Sequence, residues 1–203
     1  MIKNPSFDEE KFLWEKGYNF IAGLDEVGRG AFAGPVVAAA VILPRRFKIN
    51  GINDSKKLSS KKRKILSDYI KQNAIYYFIS EIGLGYINKH GIGKATNKAF
   101  LDCIEKLDSK FDFLLIDGYK LKNFDSKLQK GIIHGDSLSV SIAAASIIAK
   151  VYRDELMVKL HAEFPQYNFL GNKGYGTKSH RVAIKKYGLS KAHRTSFNLA
   201  KYT

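Results

Sequence analysis

Two runs of apolar residues, 20–27 and 35–43, stand close together near the start of the chain. Between them lies the glycine-rich stretch Gly28-Arg29-Gly30-Ala31-Phe32-Ala33-Gly34. Runs of that length bounded by glycine and proline read as buried strands, and their closeness predicts a hairpin with a wide turn. The period then changes. Over 60–72 the apolar Ile65, Leu66, Tyr69 and Ile70 fall on one face of a helix capped by Ser59, and Lys61, Lys62, Arg63 and Lys64 crowd its first turn, where positive charge opposes the helix dipole. A third strand is predicted over 74–83 and a helix over 92–108, where Ile92, Ala95, Ala99, Phe100, Cys103 and Leu107 follow helical spacing and place Cys103 in the core. Phe113-Leu114-Leu115-Ile116 is short and wholly apolar, as a central strand is, and ends at Asp117-Gly118. A further short strand is expected before Gly135. From Leu138 to about Glu163 runs a long helix whose Ala143, Ala145, Ser146 and Ala149 are small enough for close packing on a sheet.

This alternation of strands and helices predicts one α/β unit, with no repeat, low-complexity tract or linker to divide it. The expected organisation is a catalytic core over 1–165 and a loop-rich, basic C-terminal region with short helices over 166–203, the two making a single structural domain.

Charge narrows the choice of partner. The 34 Lys and Arg outnumber the 19 Asp and Glu, giving +15 at pH 7. Such an excess favours a polyanion, because pairing with one releases counterions. Eleven Tyr and thirteen Phe add stacking surface. A membrane is the weaker choice: no apolar stretch approaches the length that spans a bilayer. The segment Met1-Ile2-Lys3-Asn4-Pro5 leads into charged residues rather than the apolar run of a secretory signal, and the lone Cys103 forms no internal disulfide. A cytoplasmic location is expected.

Four acids stand where elements turn or end: Asp25 and Glu26 late in the first strand, Asp117 at the end of the central strand, and Asp136 before the long helix. Singly, each has an ordinary role, as strand end, Asp-Gly turn or helix N-cap. Together, their apolar flanks place them at the centre of a sheet, where unpaired carboxylates cost several kcal/mol and a hard divalent cation compensates them. With little Cys or His nearby apart from His134, an oxygen ligand set suits Mg²⁺ or Mn²⁺ better than zinc. Neighbours in a regular strand point to opposite faces, so Asp25 and Glu26 reach one ion together only if the strand distorts or Glu26 offers its backbone carbonyl.

Asp25-Glu26-Val27-Gly28-Arg29-Gly30 resembles the opening signature of the ribonuclease HII family. The similarity continues through Gly34-Pro35-Val36-Val37-Ala38-Ala39-Ala40-Val41, Asp54-Ser55-Lys56-Lys57-Leu58, Ile116-Asp117-Gly118, Gly135-Asp136-Ser137 and Ile142 to Val151. It extends to Lys173-Gly174-Tyr175-Gly176-Thr177 with His180, and to His193-Arg194-Thr195-Ser196-Phe197. Arg29 stands where ribonuclease HIII proteins carry Thr, which favours type HII. Asn172 departs from the family's frequent His before Lys-Gly-Tyr, and puts one secondary contact in doubt while leaving the acids untouched.

The resemblance implies a ribonuclease H-like α/β fold, a five-stranded mixed sheet flanked by helices, with a small C-terminal helical region beside the substrate groove. It implies that Asp25, Glu26, Asp117 and Asp136 are the catalytic acids and bind metal, two ions being held with substrate bound. The expected substrate contacts are Gly28, Arg29, Gly30, Lys56, Ser137, Lys150 and Tyr175, with Tyr175 stacking on the neighbouring deoxyribose. Lys57, the run Lys61 to Lys64 and Arg153 are further candidates for phosphate. The implied activity is cleavage on the 5′ side of ribonucleotides in duplex DNA or RNA–DNA hybrid, leaving 3′-hydroxyl and 5′-phosphate ends, by a protein expected to act as a monomer. Two other readings stand beside it. A noncatalytic nucleic-acid-binding protein accounts for the charge but not for the acids, and a ribonuclease H-like nuclease of DNA junctions leaves Gly28-Arg29-Gly30 and Tyr175 without a role.

Overall fold

The computed structural model of the chain describes residues 4–48, 52 and 58–202. Strands β1 (Ile21–Val27) and β2 (Val36–Ile42) form the expected hairpin, antiparallel, with Asp25 opposite Ala39 and Glu26 opposite Ala38. Strand β3 (Tyr76–Ile82) pairs antiparallel with β2, while β4 (Phe113–Asp117) and β5 (Gln129–Ile132) extend the other side in parallel. The order β3-β2-β1-β4-β5 makes a mixed sheet of five strands.

Alternation along the strands sorts their side chains to two faces. On one face Ala22, Leu24, Ala38, Ala40, Leu114 and Ile116 pack with Ala95, Ala99, Phe100 and Cys103 of helix α3 (Leu84–Leu107). On the other, Val37, Ala39 and Val41 meet Ile70 of helix α2 (Ser60–Asn73) and Ala144, Ile147 and Ile148 of helix α4 (Val140–Glu163). Each large apolar side chain buried in this way contributes roughly 1.5–3 kcal/mol, so both layers hold the sheet firmly. The approach of α4 is close because Gly23 has no side chain: a Cβ there would lie 2.1 Å from the Ser141 carbonyl carbon.

Three features differ from the sequence reading. Helix α1 (Asp8–Glu15) was not expected, although three acids in its first turn suit the helix dipole. Its buried Glu10 accepts from Ser139 Oγ at 2.6 Å and from Ser141 N at 2.9 Å, tying α1 to the start of α4. Helix α3 starts at Leu84, before the predicted helix, with a kink at Gly91 (φ 80°, ψ 160°); Gly91 and Gly93 interrupt the apolar spacing, so the pattern is legible only after them. The cap of α4 is Ser139, whose hydroxyl accepts from Ile142 N at 3.2 Å, which removes the N-cap role considered for Asp136.

Beyond α4 come two short helices, α5 (Phe169–Asn172) and α6 (Lys178–Tyr187). Tyr167, Phe169, Ile184 and Ala192 enclose Met157 of α4 and Ala33 of the turn between β1 and β2. The C-terminal residues are thus packed on that turn. Among the described residues no helix is long and apolar enough to cross a membrane.

Candidate active site

The parallel register pairs Leu24 with Ile116, so Asp25 and Asp117, each the next residue, end neighbouring central strands. Both belong to the side-chain row that faces α4, opposite Leu24 and Ile116. Asp136 lies on the same side, buried in the 3₁₀ turn Gly135–Ser137 that leads into α4. That turn is tied to β4 by Gly135 N, which donates to Asp117 Oδ1 at 2.7 Å. Ser137 is held in it by its own hydroxyl, which donates to the His134 carbonyl at 2.8 Å.

Glu26 belongs to the opposite row. Strand β1 pairs without a bulge through Val27, so the distortion considered from the sequence does not occur. The Glu26 carboxylate instead meets Arg29 Nη1 at 3.5 Å. Of the two routes by which Glu26 can join Asp25 at one ion, the backbone carbonyl is the one this register leaves.

The electrostatics of the group are those of crowded like charges. Burial, then Asp117 and Glu26, and finally Asp136 push the Asp25 carboxyl well above its usual range, against a hydrogen bond from Ser146 of α4. Burial also raises Glu26, with Arg29 pulling it back and Asp117 adding to the rise. Such a set suits a hard cation bound through oxygen, because positive charge would offset both the burial and the repulsion. Among the described residues no three acids, imidazoles or thiols close on a common point. The fit to a divalent ion therefore rests on donor chemistry and the crowding of like charges, and Asp25, Asp117 and Asp136 are the residues that would hold it.

The glycine-rich turn beside the acids is built by two arginines that are fully buried. Arg153 of α4 donates to the carbonyls of Pro35 (2.9 Å), Ala33 (3.1 Å) and Lys173 (2.9 Å). Arg194 donates to those of Gly34 (2.9 Å), Arg29 (2.9 Å) and Pro35 (3.0 Å). Arg153 is therefore a clamp rather than the phosphate contact considered from the sequence. It also dictates Gly28, which sits at φ +95° and where a Cβ would fall 2.2 Å from Arg153 Nε. Gly30 has neither constraint: its φ is not positive and nothing lies within 4 Å of a Cβ there. The fold requires glycine at 28 and not at 30.

The same turn receives Tyr175. Ala31 bridges to Tyr175, Phe32 N donates to the Gly174 carbonyl at 2.8 Å, and Arg153 lies 5.5 Å from the half-buried Tyr175 ring. Asn172, the departure from the family pattern, holds this loop: its Nδ2 donates to the Tyr167 carbonyl (2.6 Å) and its Oδ1 accepts from Gly174 N (2.8 Å).

The basic residues divide differently from the sequence reading. Lys150 pairs with Asp154 at 2.5 Å, and burial pushes its pKa down, so it is not a free cation. Arg63 shares Asp154 at 3.7 Å. Lys56, with Lys57, lies outside the described residues. Missed from the sequence is a groove of about 1100 Å³ that includes the exposed Arg29 and is lined by Lys94, Lys120, Lys122, Asn97 and Asn123. Those lysines come from α3 and from the residues after β4, and only the fold brings them together.

The sheet order, helical layers and acids at adjoining strand ends define a nuclease of the ribonuclease H-like class, and solved structures agree on the fold. Ribonuclease H2 from Pyrococcus horikoshii superposes with a TM-score of 0.73 at 22% identity, over 90% of this chain and 95% of that one. Bst ribonuclease HIII, solved in complex with Mn²⁺, gives 0.71 at 20% identity over 91% and 68%. The family model for ribonuclease HII matches residues 22–200, and the chain belongs to that family. The ribonuclease HII of Ruminiclostridium cellulolyticum is 52% identical over 195 residues, 96% of this chain and 75% of the relative. The chain is an endonuclease of the ribonuclease H kind, a hydrolase that acts on nucleic acid.

Proposed function

We propose that this endonuclease cuts the phosphodiester on the 5′ side of a ribonucleotide embedded in duplex DNA or in an RNA–DNA hybrid, leaving 3′-hydroxyl and 5′-phosphate ends. The observation that carries the reading is Asp25, buried at the sheet centre with Asp117 beside it and Asp136 on the same side. Asp25, Asp117 and Asp136, with Glu26 through its backbone carbonyl, would hold Mg²⁺ or Mn²⁺, two ions with substrate bound, and the Mn²⁺ complex of the ribonuclease HIII above supports a divalent ion. Bound there, divalent ions supply an activated water and stabilise the leaving 3′-oxygen.

The chain's own residues do the rest. Ser146 holds one side of the Asp25 carboxyl and Gly135 N fixes Asp117, so two acids are oriented before substrate arrives. RNA differs from DNA at the 2′-hydroxyl, and recognising it takes donors and acceptors at close range. The open side of Gly30 admits a sugar to the main chain, and Tyr175 on the adjoining loop offers a ring and a hydroxyl. Arg29 and the lysine groove provide the positive path for the duplex; Lys56 and Lys150 remain proposed phosphate contacts, Lys150 by exchanging Asp154 for substrate, and Ser137 a proposed substrate contact.

The test is incision of a duplex DNA carrying one ribonucleotide, with an all-DNA duplex as control, with and without Mg²⁺ or Mn²⁺. Metal-dependent cutting at the 5′ side of the ribonucleotide is the expected result. Equal cutting of the all-DNA duplex overturns the substrate, and binding without cutting in either metal overturns the site.

A further inference from the structure

Tyr175 is held from below by a chain of hydrogen bonds through two buried histidines. Ser190 N donates to His193 Nδ1 at 2.9 Å, which makes that nitrogen an acceptor. A neutral His193 then carries its proton on Nε2, 3.1 Å from His180 Nε2. His180 must accept there, which leaves its proton on Nδ1, 2.9 Å from the Tyr175 carbonyl. The Ser190 hydroxyl oxygen also lies 2.9 Å from His193 Nδ1, and because the Ser190 N–H can only donate there, the direction of donation along the chain is fixed. The chain has a unique pair of tautomers.

The surroundings keep the pair neutral. Phe32, Tyr167 and Phe169 pack around the rings. The titratable groups in ring contact with them are each other and Tyr167. The neighbouring cations turn elsewhere, Arg181 to the Tyr202 ring and Arg194 to the turn carbonyls. Burial and mutual repulsion lower His193, and burial lowers His180, with no carboxylate among the described residues acting on either. An added proton on His180 Nε2 would face the N–H of His193, so the donation must reverse and Ser190 N must lose its acceptor.

We infer that His180, set by His193, is a positioning residue for Tyr175: the neutral imidazole pair fixes the Tyr175 carbonyl, and through it the ring presented to the substrate sugar. This rests on the reading of Tyr175 as a substrate contact. Neither histidine touches the acids, and nothing in the proposed chemistry needs an imidazole.

Two substitutions separate the two ends of the chain. Asn at 180 places an amide N–H where Nδ1 stands, and Gln places its amide where Nε2 stands. His180→Gln is expected to keep the partner of His193 but to remove one of the two donors to the Tyr175 carbonyl, leaving Thr177 N at 2.8 Å, and so to raise KM for the single-ribonucleotide duplex by up to about tenfold, the worth of one buried hydrogen bond, while kcat changes less. His180→Asn is expected to restore KM. Its ratio of activity to wild type should rise at acid pH, below the ordinary imidazole range, because a group that titrates has been removed. Histidine ¹⁵N spectra of the wild-type protein at pH 7.5 should show Nδ1–H for His180 and Nε2–H for His193, whatever the fate of the variants. The opposite tautomers, or a wild-type KM in a folded His180→Gln, overturn the inference. Tyr175→Ala keeps the two ideas apart: a wild-type KM there removes the role of Tyr175 itself, whereas a raised KM with His180→Gln unaffected removes only the role of the histidine.

Discussion

Arg153 and Arg194 donate to the same atom, the carbonyl oxygen of Pro35, the first through Nε at 2.9 Å and the second through Nη2 at 3.0 Å. Two like charges are thus buried together and satisfied by main-chain carbonyls. Burial and then the charge of Arg153 push Arg194 down to about 9. The arrangement is worth its electrostatic cost because a guanidinium's fork of donors satisfies several carbonyls at once, those of Arg29, Ala33, Gly34 and Pro35, in a turn that lies outside the strand ladder. Arg194→Lys keeps the charge and loses the fork, so a cost of about 2–4 kcal/mol in urea unfolding is expected. A cost well under about 1 kcal/mol would mean that the turn stands without the clamp.

Replacing Asp25 separates catalysis from folding. Asp25→Asn keeps the shape while removing one of several repelling charges, so cleavage should fall by about 10³-fold or more. In EDTA the folded state should be as stable as wild type or more so. Added Mg²⁺ should raise the wild-type Tm by linkage, a gain of about 2.7 kcal/mol at a hundred times Kd, and should barely move the variant. A variant as responsive to Mg²⁺ as wild type would take Asp25 out of the metal site.

The glycines at 28 and 30 make opposite predictions. Gly28→Ala meets Arg153 Nε at 2.2 Å and a left-handed φ, so both stability and activity should drop. Gly30→Ala meets open space, and its effect on stability should lie within about 1 kcal/mol, in the stabilising direction if any. Its KM for the ribonucleotide duplex should nonetheless rise, because the methyl occupies the side left open to the sugar. Unchanged KM in Gly30→Ala would argue that the sugar lies elsewhere.

His193 links stability to pH. Its pKa falls from the ordinary 6.5 to about 4 in the folded protein, through burial and then the repulsion of His180. Between these values the unfolded chain binds a proton that the folded chain refuses, so the stabilisation is complete above pH 6.5, is lost progressively as pH falls, and is exhausted near pH 4. The raised carboxyls of Glu10, Asp25 and Glu26 act in the opposite sense, costing stability as pH rises through their folded values. Unfolding of wild type and His193→Gln from pH 4 to 8 isolates the imidazole: the difference between them should narrow toward the acid end.

Where the hydrophobic pattern is strong, the sequence reading and the structure coincide. Strands β1, β2 and β4 are apolar runs between glycines and acids, and α4 shows its close packing in a row of alanines. Helix α1 is concealed because its stabilising contact is polar and distant in sequence, Glu10 on Ser139 and Ser141. The four acids stand out through their apolar flanks, but the face taken by those on strands depends on register, which separates Glu26 from Asp25 and Asp117, and Asp136 is placed by the turn before α4. Arg153 and Lys150 look alike as basic residues on one helix, yet one is fully buried against carbonyls and the other is paired with Asp154. Charge alone does not distinguish a clamp from a phosphate contact; burial does.

At Gly23 the main chain of α4 rests directly on the main chain of β1, with no side chain between. The interval between the strand that carries Asp25 and the helix that carries Ser146 and follows Asp136 is therefore set by backbone contact, independently of how the surrounding core is filled. A change in the size of an apolar residue elsewhere in the two layers leaves that contact in place. In this fold the spacing of the candidate site is written in the absence of a methyl group.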